Sequence, residues 1–130
     1  MLEKNKGKVK VVFKHMPLRG RELSDLAVMG AFAAGNQGKF WEYHDQVFAQ
    51  ENLTEKLLDE IAAAIGLDVS KFKADRSSPQ VRQKFGKDAK DAQDAGIRGT
   101  PTVFINGQQL KNRSLKGFQT LIDKKLSDIK

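Results

Sequence analysis

Apolar positions along the chain repeat with two different periods. Val9, Val11 and Phe13 alternate with Lys10, Val12 and Lys14, the two-residue repeat of a strand with one face buried and the other only partly so. Pro17 stops that strand. The loop Met16 to Arg21 then leads into a stretch where Leu23, Leu26, Ala27, Gly30, Ala31 and Ala34 fall at helical spacing, their small side chains suited to close packing. Gly35-Asn36-Gln37-Gly38 turns the chain, because Gly and Asn adopt the left-handed closing conformation at least cost. A second helix over Lys39 to Gln50 places Phe40, His44, Val47 and Phe48 on one stripe, with Trp41 and Tyr43 to its sides.

The next starts are marked by caps. Thr54 is an N-cap, with Leu53 and Leu58 placed as a hydrophobic staple, and Leu57, Leu58, Ile61, Ala62 and Ile65 form the buried face that Gly66 closes. Asp68 caps a short helix holding Val69 and Phe72. Ser78 caps a longer one that opens on Pro79, where the missing N–H costs nothing. That helix turns Val81, Phe85, Ala89 and Ala92 inward and a mixed-charge face outward, and Gly96 ends it. Thr102 to Ile105 then reads as a strand. Asn106-Gly107 is the dipeptide of a two-residue type I′ turn, and Gln108 to about Lys111 returns antiparallel. Ser114 opens a final amphipathic helix with Phe118, Leu121, Ile122 and Leu126 spaced to pack on a sheet. The predicted order is strand, several helices, hairpin, helix, with no repeats and no low-complexity linker.

Composition narrows the chemistry. The 130 residues suit one globular domain, and no apolar run has the length of a membrane span. Met1 to Lys6 has no hydrophobic region behind its charges, so no secretory signal is read and the chain as written is expected to stay soluble where it is made. There is no cysteine, which removes disulfides, thiolate nucleophiles and cysteine metal sites; two histidines do not make a metal site, and no cofactor is called for. The net charge of +7 permits an acidic partner. The lysines are spread over the chain without interleaved aromatics, so nucleic-acid binding is set aside as a minor reading, predicting affinity that falls steeply with salt. Lys4, Lys6, Lys8, Lys10 and Lys14 read first as a basic edge that discourages uncontrolled strand pairing.

Three stretches carry a resemblance. Arg98-Gly-Thr-Pro-Thr-Val-Phe-Ile-Asn-Gly107 resembles the cis-proline loop and hairpin of the DsbA-like branch of the thioredoxin superfamily. Lys8 to Leu18 resembles that family's second strand and exit loop, and Gly38-Lys-Phe-Trp-Glu-Tyr-His-Asp45 resembles a helix start in its inserted helical domain. The resemblance implies an α/β, thioredoxin-like fold in one domain over 1–130, with 8–14 and 102–126 as the thioredoxin-like part and 22–95 as the helical insertion. It implies that Met1 to Asn5 is the last turn of a helix preceded by a strand and a Cys-x-x-C motif that this sequence does not contain, so that the sheet is incomplete. It also implies a cis bond before Pro101 and a substrate-binding loop of Arg98, Gly99, Thr100 and Pro101, where the backbone of Thr100 pairs with an extended peptide. Most of that family works outside the cytoplasm.

Two readings of function follow. The chain is part of a thiol:disulfide oxidoreductase whose Cys-x-x-C lies upstream of Met1, or it is a redox-inactive relative that kept the peptide-facing loop as a binding or assembly module. Neither reading lets these residues cycle a disulfide. The gap left in the sheet is expected to close by sliding 9–13 against 102–105, by a strand from another polypeptide, or by a homodimer through the exposed edge, the last being preferred. Other candidates are read as structural: His44 as a core histidine bonded to backbone, His15 as without catalytic work, Phe40 and Trp41 as core anchors, and Arg19 and Arg21 as solvated.

Overall fold

The computed structural model describes residues 1–16 and 22–129. Pro17, which was to stop the first strand, and Arg19 and Arg21 lie outside the described residues. After a 3-10 turn at Glu3–Asn5 come α1 (Glu22–Asn36), α2 (Phe40–Phe48), α3 (Glu55–Ala64), α4 (Val69–Arg76) and α5 (Pro79–Asp94). The strands β1 (Phe104–Ile105) and β2 (Gln108–Gln109) and the helix α6 (Leu115–Asp128) complete the chain. Two compact units result, one of residues 14–96 and one of residues 1–13 with 97–130.

In the unit of 14–96, helix starts follow the polar punctuation. Thr54, Asp68 and Ser78 each accept a bond from the backbone N–H three residues on, at Leu57, Lys71 and Val81. Each cap satisfies one of the donors that a helix start leaves unpaired, worth about 1 kcal/mol. The helices close over Ala31, Ala33, Ala34, Leu58, Ile61, Ala62, Leu67, Phe72 and Tyr43. The centre is Tyr43, fully buried, with its ring 5.6 Å from that of Phe72. Gly30 makes the site for them: a Cβ there would collide with the Tyr43 hydroxyl and lie 3.2 Å from the Phe72 ring. The stripe expected on α2 is thus turned. Tyr43 points inward, Phe40 and Val47 pack partly buried against the core, and Trp41 and Phe48 are exposed. Trp41 is therefore no core anchor, because the small residues of α1 leave room for the ring at 43.

Arg76 is the buried cation. Its guanidinium donates to Asp59 at 2.8 Å, lies 3.8 Å from Glu55 and sits over the Phe72 ring. Burial pushes the Tyr43 phenol well above its ordinary range, against the pull of Arg76. Lys14 donates to Asp91 at 2.7 Å, which raises the ammonium and lowers the carboxyl.

The unit of 1–13 and 97–130 is built on the hairpin. Asn106 (φ 47°) and Gly107 (φ 81°) both take positive φ, as a type I′ turn demands. Phe104 faces Gln109 and Ile105 faces Gln108, and the Leu110 N–H extends the register by one bond to the Val103 carbonyl. Ser114 caps α6 on the Gly117 N–H, and Leu121 and Ile122 are its buried positions. The 3-10 turn is tied to α6 by a two-way amide pair: Asn5 donates to Gln119 at 2.9 Å and Gln119 returns a bond at 3.0 Å.

The expected strand over Val9–Phe13 is not formed among the described residues, and its pairing with 102–105 is absent, because the sheet consists of β1 and β2 alone. A strand persists only where its backbone groups find a partner ladder. Residues 9–12 belong to no ladder among the described residues, and Val11 and Val12 stand exposed.

Candidate functional site

The loop before β1 leads directly into the hairpin. Gly96 closes α5 at positive φ, and the hairpin begins at Val103, whose carbonyl holds Leu110. Between them Arg98, Gly99, Thr100 and Pro101 are all exposed, and the Thr100–Pro101 peptide bond is cis. Two side chains pin the loop's carbonyls. The Thr102 hydroxyl donates to the Gly99 carbonyl at 2.6 Å, and Arg113 donates to the Pro101 carbonyl at 2.7 Å. Thr100, between them, makes no hydrogen bond to any described residue through its own N–H or carbonyl. The result is an exposed backbone amide held in a fixed frame, which suits pairing with an extended chain.

All four residues expected at the site therefore share one exposed loop. Arg113 was not anticipated. A cation at the exit of a hairpin is too ordinary to single out in sequence, and only its distance to Pro101 gives it a role.

His15 and His44 belong to the helical unit. The His15 ring is buried edge-on against Phe32 at 5.0 Å, and its backbone N–H donates to Asp88 at 2.9 Å. Burial lowers its pKa; Asp88 opposes that shift and His44 reinforces it. His44 pairs through Nδ1 with the Asp45 carboxylate at 3.1 Å and packs against Phe48 at 4.2 Å. Among the described residues no cluster of three His, Asp or Glu could hold a metal ion. Nor is any helix there long and apolar enough to cross a membrane.

Comparison with known proteins places the chain in a family. The chain is 33% identical over 132 residues to a probable disulfide bond formation protein D of Bacillus anthracis, covering 94% of this chain and 60% of that protein. It is 36% identical over 104 residues to a Na(+)/H(+) antiporter NhaA of Herminiimonas arsenicoxydans, covering 79% of this chain and 16% of the antiporter. It thus spans less than two thirds of the length of either relative. A thioredoxin-like oxidoreductase from Silicibacter pomeroyi DSS-3 superposes with a TM-score of 0.77 at 24% identity, over 90% of this chain and 68% of that one, which shows the fold. The sequence profile of the family described as thioredoxin matches residues 1–124, and the chain belongs to that family.

Proposed function

We propose that this chain holds an extended peptide at the loop 98–101 by backbone pairing and carries out no thiol exchange with its own residues. The observation that carries the reading is the Thr100 backbone, unbonded among the described residues and set between two carbonyls that Thr102 and Arg113 hold. Strand addition needs such an edge, since the main-chain bonds give affinity and neighbouring side chains select the partner. The relative named for disulfide bond formation supports a polypeptide as the occupant. Disulfide exchange needs an attacking thiolate, and this sequence has no cysteine.

The test uses Gly99→Trp. A Cβ at Gly99 meets nothing within 4 Å and its residue is exposed, so the substitution places a bulky ring beside the approach to Thr100. Binding of a reduced, unfolded polypeptide should fall by about tenfold with unchanged far-UV circular dichroism. Equal binding by the variant would remove the loop from the reading.

A second reading is favoured by one observation. Val11 and Val12 are exposed apolar residues outside any ladder among the described residues, which supports a homodimer through that edge. Sedimentation showing a compact monomer at high concentration would sink it.

A further inference from the structure

A second concavity lies in the unit of 1–13 and 97–130, between β2 with the turn that follows it and the first half of α6. It is a groove of about 780 Å³. Leu110 and Leu121 are its buried apolar residues, while Lys111, Lys116 and Lys124 bring three cations to its lining. The turn lies close on the helix because Gly117 has no Cβ; one there would collide with the Asn112 carbonyl.

None of the three lysines makes an ion pair among the described residues. From Ala95 to Ile122 the sequence contains no Asp or Glu. Asp123, the acid on α6 beside Leu121 and Lys124, accepts a bond from Gln119 at 2.8 Å. Uncompensated cations around an apolar floor attract an anion that also carries apolar surface. A single-stranded nucleic acid would call for aromatic rings on which bases stack, and no aromatic side chain lines this groove.

We propose that this groove binds an acidic peptide, its carboxylates facing Lys111, Lys116 and Lys124 and an apolar side chain lying over Leu110 and Leu121. None of residues 98–101 lines this groove, and binding in it does not depend on peptide binding at that loop.

The experiment is an NMR titration of the full chain with a synthetic peptide of alternating Glu and Leu, at low and at physiological salt. Shifts should concentrate on the amides of Leu110, Lys111, Thr120 and Leu121, with affinity falling as salt rises. The double variant K111E/K116E should weaken binding by about tenfold, while K56E, a reversal at an exposed position of the other unit, should leave it unchanged. A peptide of equal charge with Asn for Leu should bind about fivefold more weakly, because it gains nothing from the floor. Gly99→Trp should leave the groove shifts intact, which separates this site from the loop. Shifts spread equally over Lys4, Lys6, Lys8 and Lys10, binding unaffected by K111E/K116E, or tighter binding of a thymidine oligonucleotide at the same amides would overturn the proposal.

Discussion

The two units of this chain treat charge in opposite ways. Residues 14–96 contain twelve Lys and Arg against thirteen Asp and Glu, and every ion pair among the described residues lies within them. Residues 1–13 and 97–130 contain eleven against three, so the excess positive charge of the whole molecule resides there. Apolar surface divides similarly. The helical unit encloses Tyr43, Leu58 and Phe72 completely and exposes Leu23, Trp41 and Phe48, whereas the other unit buries Leu110, Leu121 and Ile122 and leaves Leu2, Val11, Val12, Phe104, Leu115 and Ile129 exposed. A unit with matched charges and a filled core sustains itself. Unmatched cations and open apolar positions are features that partner surfaces share, and the candidate loop and the groove both belong to the unit that has them.

The sharpest way to break this contrast is to damage the self-sufficient side. Phe72→Ala removes a fully buried ring and should cost about 4 kcal/mol in chemical denaturation. If the units are energetically distinct, hydrogen exchange will accelerate at the Leu58 amide, bonded to the Thr54 carbonyl, and leave the Leu110 amide protected. Equal acceleration at both would erase the distinction. Gly30→Ala drives a Cβ into the Tyr43 hydroxyl and should cost about 2 kcal/mol by the same measurement. A variant as stable as the parent would show that the core at Gly30 is looser than its geometry.

Tyr43→Phe acts in the other direction. The Tyr43 hydroxyl is buried with no hydrogen-bond partner among the described residues, so its removal should stabilise the helical unit by about 1 kcal/mol. It should also recover part of the loss from Gly30→Ala; only part, because the Tyr43 Cζ lies 3.0 Å from the added carbon and the ring remains in the variant. The smallest effect is on pH dependence. The folded state lowers the pKa of His15, chiefly by burial, so the unfolded chain binds the proton more readily. Stability from this group is present above the ordinary histidine pKa of about 6.5 and is lost as pH falls below it. Denaturation midpoints between pH 7.5 and 5 should therefore decline, and His15→Leu should flatten the decline. An unchanged slope would assign it elsewhere.

Local punctuation was the legible part of the sequence. Thr54, Asp68, Ser78 and Ser114 each cap the helix expected of them, and Asn106-Gly107 makes the expected turn, because caps and tight turns depend on residues within four positions. The cis bond before Pro101 was legible only through the family resemblance of Arg98 to Gly107, because most X-Pro bonds are trans. What failed depends on distance along the chain. The alternation at Val9 to Phe13 reports a capacity to pair, and no pattern within a strand reveals whether a partner is present. The inward turn of Tyr43 depends on the absent side chain at Gly30, and the burial of Arg76 depends on Asp59; both are meetings of separate helices. Arg113 reaches Pro101 across twelve positions, beyond any local rule.

The amide pair between Asn5 and Gln119 sets a timetable. It joins residues 114 positions apart, with the whole of 14–96 between them. During synthesis the helical unit has all its contacts available once Gly96 has emerged, and its segments are close neighbours in sequence, so closing it costs little chain entropy. Asn5 must wait until α6 is made before its partner exists. For that interval the exposed Val11 and Val12 emerge before the clasp beside them has formed, and they are apolar surface that a chaperone can hold.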